Sequence, residues 1–525
     1  RPHSRRSPGG EPGASGTGRS GAPLPAGFRV VLDPDTVVVE GGRVLVGGEP
    51  RRVLRLSEAG SRAFSELLGG PVRTPAAGAL ARRLVSAGAA HPRPPLRPGA
   101  GTGAQSARLG GRVAVIVPVH DRADQLDALL GAMRVDLGTG TVAEIIVVDD
   151  GSTRPAEIAG VVARHGARLV PRAVNAGPAA ARNSGLAAAG DADLIAFIDS
   201  DCVPPAGWLE RLAAHFDDPA VGGVAPRVSG LARRGLRRPL LDRYAAVRSP
   251  LDLGTREALV RPGTRVPYVP TAALVVRREA LGTPAFDGEL RYGEDVDAVW
   301  RMIDAGWQVR YQPDVVVGHA EPGDWPAYLR RRFRYGTSAG PLARRHPDRL
   351  APLVLQPWPT AIAALVLARR PGLAAGAAAM ATAPLARTLR DSGVPAAHAP
   401  RMTAQAVGST LTGLARATAQ FGLPVVVPAA VLGGARRARS RRGRRLALLS
   451  VLLASPWIRE WVSRRPDVDL PRWIMAGVVD DIAYGAGVWA GALRARTGAP
   501  LIPHVGRMGA RKANRGTGPC SAARP

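Results

Sequence analysis

Between residues 112 and 345 the apolar positions fall into short continuous runs separated by stretches of helical spacing. "RVAVIVPVHDR", "EIIVVDDGS", "ARLVPRA" and "DLIAFIDSD" read as strands, while "QLDALLGAMRV", "PAEIAGVVARHG" and "NAGPAAARNSGLAAAG" mark helices between them. Continuous apolar strands alternating with helices predict an α/β unit, its mostly parallel sheet covered on both faces. Residues 27–95 carry a different pattern. "FRVVLDPDTVVVEGGRVLVGG" alternates apolar and polar positions around the Asp33-Pro34-Asp35 and Gly41-Gly42 turns, predicting short strands or a hairpin. "LSEAGSRAFSELLGG" then predicts a helix capped by Ser57 and ended by Gly69-Gly70, and "AGALARRLVSAGAA" a second one. Together they suggest a small winged-helix-like module. A Pro/Gly-rich stretch runs from His91 to Gly111, and residues 96–111 are assigned as a linker.

From residue 346 to 505 the apolar segments predict an α-helical region. They include "LVLQPWPTAIAALVLA", "GLAAGAAAMATAPLA" and residues 421–434, 446–458 and 474–493. Most are shorter than the ~20 residues a spanning helix needs, and the last contains Asp480 and Asp481. Residues 435–445, "ARRARSRRGRR", are polybasic beside an apolar segment. Each such cation contributes about 1 kcal/mol at an anionic leaflet. The expectation is a membrane-associated region of short, tilted or interfacial helices at the cytoplasmic face of the cell membrane, with a soluble helical bundle as the alternative. Residues 1–26 and 506–525 read as disordered.

Composition adds little to this picture. The formal charge of +29 suggests an anionic partner, but Lys512 is the only lysine and few aromatics interleave with the arginines. That argues against nucleic acid held by base stacking. Cys202 and Cys520 supply neither a disulfide framework nor zinc spacing, which fits a reduced compartment. The first residues lack the apolar run of a signal peptide.

The chemistry gathers where the apolar runs stop. Ligands of such sheets sit outside the carboxyl ends of the strands, and three runs end in His120-Asp121-Arg122, Asp149-Asp150-Gly151-Ser152 and Asp199-Ser200-Asp201. Two ionised carboxylates at a buried strand end repel each other unless a cation lies between them. Hard oxygen ligands beside phosphate suit Mg²⁺ or Mn²⁺. Further on, "YGEDVD" supplies Glu294, Asp295 and Asp297, either a general base or the acidic first turn of a helix.

The pieces "VIVPVHDR", "IIVVDDGS", "NAGPAAARNSGL", "IAFIDSD", "RYGEDVDAVWR" and "RRRFRYG", in this order, resemble the family 2 glycosyltransferases of GT-A fold. The resemblance implies a nucleotide-sugar donor, a divalent metal (Mn²⁺ or Mg²⁺) and inversion at the anomeric carbon. It implies nucleotide-sugar contacts from Pro118, Asp121, Asp149 or Asp150, Asn175, Gly177, Arg182, Asn183 and Asp199. It implies metal ligation by Asp201 with Asp199, and by His319 unless that is a loop histidine. Asp295 matches the general base, with Glu294 its neighbour, and Thr271 is an acceptor contact or a turn cap. Arg331, Arg334 and Tyr335 match an element whose arginine meets the diphosphate and whose aromatic ring stacks on the acceptor. That ring is tyrosine where tryptophan is commoner. Asp121 could instead cap a helix, and Arg182 could lie on a helix surface. The whole-chain arrangement resembles the mycofactocin-system glycosyltransferases, whose N-terminal module is PqqD-like and binds peptide. That family implies UDP-glucose as donor, a peptide-derived redox cofactor (premycofactocin) as acceptor, and a β-1,4-glucan product. The alternative is a membrane-associated family 2 enzyme acting on a lipid or cell-wall polysaccharide.

Overall fold

The two N-terminal helices begin at side-chain caps. Ser57 Oγ accepts from the Gly60 amide at 3.2 Å and Thr74 Oγ1 from the Ala77 amide at 3.2 Å, opening helices Glu58–Gly69 and Pro75–Ser86. Around them run β1 (Arg29–Leu32), β2 (Val37–Val39), β3 (Val44–Gly47), β4 (Arg52–Arg55) and β5 (Ala90–Arg93). β2, β3 and β4 form an antiparallel sheet, and β1 pairs with β5. Phe28, Leu45, Phe64, Leu67, Leu80 and Leu84 fill the core between them. The Pro/Gly-rich stretch that begins at His91 therefore starts as a strand. Pro92 is tolerated there because this two-stranded ribbon leaves one side of each strand unpaired. The computed structural model describes residues 21–95, 113–138, 142–231, 239–391, 393–422 and 441–506, with side chains of the last segment from residue 453. The linker at 96–111, the apolar residues 423–434, the polybasic residues 435–440 and most of both predicted disordered ends lie outside the described residues.

The apolar runs of the central region pair into one sheet. β6 (Val113–Val119), β7 (Val142–Asp150), β8 (Arg168–Arg172) and β9 (Leu194–Ile198) are parallel, in the order β9-β6-β7-β8. Helices Ala123–Ala132, Pro155–Arg164 and Pro178–Ala188 make the crossovers. Side chains alternate between two cores, Val113, Val115 and Val117 toward one face and Ala114 and Ile116 toward the other. The rest of the sheet holds β10 (Cys202–Val203), β11 (Val221–Gly230), β12 (Ala258–Leu259), β13 (Ala273–Arg277) and β14 (Gln308–His319). β13 runs antiparallel to β9 and β11, β10 and β12 run antiparallel to β14, and β11 is parallel to β14. The expectation of a mostly parallel sheet is thus corrected to a mixed one. A parallel neighbour needs a crossover, and β13 is instead reached through the irregular residues 260–272 and enters from the opposite end.

Beyond the sheet the chain is mainly helical. Helices Trp325–Thr337, Pro357–Leu367, Pro371–Asp391, His398–Ala417, Arg441–Arg464 and Leu470–Arg494 follow one another. Among the described residues no helix is long and apolar enough to cross a membrane. Leu470–Arg494 packs directly on Trp325–Thr337. A Cβ on Gly336 would overlap the Tyr484 carbonyl oxygen, and one on Gly487 the Phe333 carbonyl oxygen, so backbone meets backbone. The N-terminal unit is also docked on the sheet. Arg82 Nη2 donates to Asp218 Oδ1 at 2.6 Å with both side chains buried, and Arg256 Nη2 donates to Asp33 Oδ1 at 2.9 Å.

Candidate active site

β6, β7 and β9 are adjacent and parallel, so the loops that follow them open at one edge of the sheet. A cavity of about 650 Å³ lies there, closed on its other side by Glu294–Asp304, by Trp325–Thr337 and by residues of the C-terminal helices. Pro118, Asp150, Asn175, Gly177, Arg182, Asp199, Asp201, Thr271, Glu294, Asp295, His319, Arg331 and Tyr335 all line it.

The loop carboxylates have distinct tasks. Asp121 Oδ1 accepts from Thr153 N at 2.7 Å and Thr153 Oγ1 at 2.9 Å, and the Asp121 amide donates to Ser152 Oγ at 3.0 Å. These bonds tie the β6 and β7 loops together, and the hydrogen bonds to Thr153 hold the carboxyl below the usual aspartate range. Helix Ala123–Ala132 has Arg122 at its N-cap, with no side-chain cap bond. Asp149 is buried and accepts from the Ser152 amide at 3.0 Å, fixing the turn. Asp150 accepts from the Ala176 and Gly177 amides at 3.2 and 2.7 Å and from Arg172 Nε at 2.9 Å, which shapes the Asn175–Gly177 wall. Asp121 and Asp149 are not on the cavity wall. Neither is Asn183, whose amide group clamps the Phe286 backbone through two hydrogen bonds of 2.8 and 3.1 Å. Arg334 is exposed and turned away, because helical spacing puts Arg331, Arg332 and Tyr335 on the cavity face.

Arg182 is the hub. It is 3 % exposed, and it donates through Nη2 to Asp199 Oδ1 at 2.6 Å and through Nη1 to Glu294 Oε1 at 2.7 Å. This places the end of β9 beside the first turn of Glu294–Asp304, where Asp295 follows. Burial raises the Glu294 carboxyl to about 7, Asp295 adds to that, and Arg182 opposes it. Burial likewise raises Asp295, again opposed by Arg182. Asp297 turns away to Arg301 Nε at 2.8 Å and His346 Nε2 at 2.9 Å, a structural network.

Asp201 Oδ2 stands 3.5 Å from His319 Nε2 and is also paired with Arg122. β10 pairs Cys202 with His319 across the ladder, which sets the two ligand candidates side by side. His319 Nδ1 faces Glu321 Oε1 at 3.4 Å, and Glu321 is held in turn by Ser249 Oγ at 2.7 Å and by Arg331. With Nδ1 facing Glu321, Nε2 is the ring nitrogen that stands beside Asp201. Adjacent ligands of one cation with bonds of about 2.1 Å lie roughly 3 Å apart, so Asp201 and His319 fit a shared metal ion. Among the described residues no group of three or more His, Cys, Asp or Glu side chains is placed to hold one. Two protein ligands with phosphate oxygens completing the shell suit Mg²⁺ or Mn²⁺. Asp199, engaged by Arg182, does not join that pair.

Sequence reasoning missed several cavity residues. Arg291 and Arg332 lie within the quoted motifs, Tyr268 in the loop before β13, and Phe421 and Tyr484 come from the C-terminal region. Only Asp480 and Asp481, two acids in an apolar segment, signalled that this region meets charge. Both are buried. Asp480 accepts from Tyr244 Oη at 2.9 Å and pairs with Arg332. Asp481 accepts from Arg248 Nη2 at 3.1 Å, Trp457 Nε1 at 3.0 Å and Gln420 Nε2 at 3.1 Å.

The model of the family described as Glycosyl transferase family 2 matches residues 114–282. The Pre-mycofactocin glycosyltransferase of Mycobacterium tuberculosis is 36% identical over 498 residues, covering 92% of this chain and 98% of that one. A glycosyltransferase of Haloferax volcanii is 28% identical over 229 residues, 43% of this chain and 71% of its own. Among solved structures, a mannosyltransferase from Pyrobaculum calidifontis in complex with GDP-Man and Mn²⁺ aligns with 66% of this chain and 86% of its own, at 19% identity and a TM-score of 0.34.

Proposed function

Since the chain belongs to the pre-mycofactocin glycosyltransferases within glycosyl transferase family 2, and is therefore a nucleotide-sugar-dependent hexosyltransferase, we propose that it transfers glucose from UDP-glucose, with inversion, to premycofactocin and extends a β-1,4-glucan on it. The observation that carries this reading is the cavity itself. Its sheet side presents Pro118, Asp150 and the Asn175–Gly177 wall to a nucleotide, and its far side presents Asp295. Asp201 and His319 would hold a divalent cation, which when bound neutralises charge on the departing diphosphate. Arg331, paired with Glu321, lines the same cavity and brings a guanidinium to it. Arg182 bridges Asp199 on the ribose side and Glu294 on the acceptor side, offsetting the repulsion between the two carboxylates. Asp295 takes the proton of the acceptor hydroxyl as its oxygen attacks the anomeric carbon opposite the leaving group.

In this reading residues 27–95 form a PqqD-like module that recognises the peptide-derived part of the acceptor, and its buried Arg82–Asp218 pair holds it beside the sheet. The C-terminal region brings the enzyme to the inner leaflet. Val366, Leu367, Leu373 and Met380 are exposed around the turn that carries exposed Arg369 and Arg370, an apolar surface with cations at its rim. That surface also favours the second reading, a lipid-linked acceptor.

Incubating the purified chain with UDP-glucose, Mn²⁺ and either premycofactocin or polyprenyl phosphate, with products weighed by mass spectrometry, separates the two. Hexose increments on premycofactocin are expected. Increments on the lipid alone would replace the first reading by the second.

A further inference from the structure

The wall of the cavity that holds Asp295 is not made by the sheet domain alone. Tyr484 and Val488 reach it from helix Leu470–Arg494, and Phe421 from the segment Thr418–Gly422. The Phe421 and Tyr484 rings lie 6.4 Å apart, tilted by 56°. Arg332, also on the wall, lies over the Tyr484 ring at 4.9 Å. Tyr268, from the loop before β13, lines the same cavity as Tyr335, Arg332 and Asp295. Tyr268, Tyr335 and Tyr484, from three separate parts of the chain, therefore line the same cavity as Asp295.

Buried polar bonds and backbone contacts hold the segments that carry these C-terminal rings. Two buried aspartates in an apolar helix are costly unless fully bonded, and here Asp480 reaches Arg332 and Tyr244 while Asp481 reaches Arg248, Trp457 and Gln420. Trp489 Nε1 donates to the Phe421 carbonyl at 3.0 Å. A Cβ on Gly485 would overlap the Gln420 carbonyl oxygen, so the two segments touch backbone to backbone beside the rings. A helix that served only as an anchor would not need Tyr484 fixed in register with Arg332.

We propose that Tyr484 and Phe421 form an aromatic wall of the acceptor subsite, on which a flat ring of the acceptor packs while its hydroxyl faces Asp295. The ring is either the apolar face of a glucose unit already transferred or an aromatic ring of the peptide-derived aglycone, and both present a flat apolar surface to an aromatic side chain. The inference rests on the transferase reading above and assigns the C-terminal helices a share of its binding site.

The experiment uses the full-length chain and its Tyr484→Phe, Tyr484→Ala and Phe421→Ala variants, with melting curves to establish folding. With UDP-glucose and premycofactocin, Tyr484→Ala and Phe421→Ala should raise the acceptor KM about tenfold while the UDP-glucose KM moves by less than about twofold. Tyr484→Phe should stay within about twofold of the wild type in acceptor KM, since the ring and not the hydroxyl makes the surface. Cellobiose and 4-nitrophenyl β-glucoside, titrated by calorimetry in the presence of UDP and Mn²⁺, distinguish the two kinds of ring. Loss of cellobiose binding in Tyr484→Ala assigns the wall to a sugar unit, and loss of only the nitrophenyl glucoside assigns it to the aglycone. An unchanged acceptor KM in both alanine variants, or a loss that falls equally on donor and acceptor, would overturn the proposal. If the wild type adds no hexose to premycofactocin, the acceptor assignment fails. The wall is then judged by the calorimetry alone: equal binding of both glucosides by wild type and Tyr484→Ala sinks it.

Discussion

Arg182 Nη1 donates to Glu294 Oε1 at 2.7 Å, joining residues 112 positions apart and setting the candidate base at the end of the donor-side strand. With its other arm on Asp199, Arg182 makes one buried cation serve two carboxylates. Removing one member of a buried ion pair leaves an uncompensated charge, at a cost of about 3–5 kcal/mol. Arg182→Gln is therefore expected to lower stability by about that amount and to reduce kcat at least a hundredfold (about 2.7 kcal/mol of barrier). Chemical denaturation and steady-state kinetics check the two losses separately. Glu294→Gln, which can still accept from Arg182, should destabilise less.

The pH profile follows from Asp295. A general base works only when ionised, and burial holds this carboxyl above the ordinary aspartate range. The rate should rise with pH through that raised value and then level. Arg182 lowers it, so Arg182→Gln should move the acidic limb to higher pH. Asp295→Asn should cost about 10²–10⁴ in kcat with UDP-glucose affinity retained. A limb that stays put in the Arg182 variant would contradict the coupling.

Asp201 and His319 predict the metal dependence. EDTA should abolish transfer and Mn²⁺ restore it. Asp201→Ala and His319→Ala should each weaken Mn²⁺ binding in the presence of UDP, read by electron paramagnetic resonance of free Mn²⁺, by at least about tenfold. Glu321→Gln should act in the same direction and less strongly, because it touches the metal site only through the imidazole and Arg331.

The C-terminal helix should be energetically coupled to the catalytic region. Asp480→Ala leaves Arg332 without its carboxylate partner, and Arg332→Met leaves Asp480 to Tyr244 and Arg248. A double-mutant cycle on unfolding free energy should return an interaction of about 1–3 kcal/mol. Additive single effects would mean that the helix is only loosely apposed.

Two kinds of information are separable in this chain. The strand and helix order of the central α/β region was legible from its runs, because a strand buried on both faces has to be continuously apolar and its crossover helices have to be amphipathic. The clustering of polar groups at Asp121, Asp150 and Asp199 was legible for a related reason, since parallel neighbours bring their carboxyl ends to one edge. The sense of β13 was not legible, because strand direction depends on which end of the sheet a long irregular stretch re-enters, and local pattern carries no record of that. Nor was the division of tasks among the acids. Asp121, Asp149 and Asp150 are all short carboxylates at strand ends, and only the positions of Thr153, Ser152 and the Ala176 and Gly177 amides decide which one braces a loop and which one shapes the cavity wall. Arg182, Glu321, Asp480 and Tyr484 depend on partners far along the chain. An apolar helix with two aspartates reads the same whether those acids face water or meet Arg332 and Arg248 in a buried network. Sequence by itself determined the elements and the chemistry available at the sheet edge. The tertiary structure decided which charges neutralise one another and which rings close the cavity, because those choices are made by contacts between residues that local periodicity never relates.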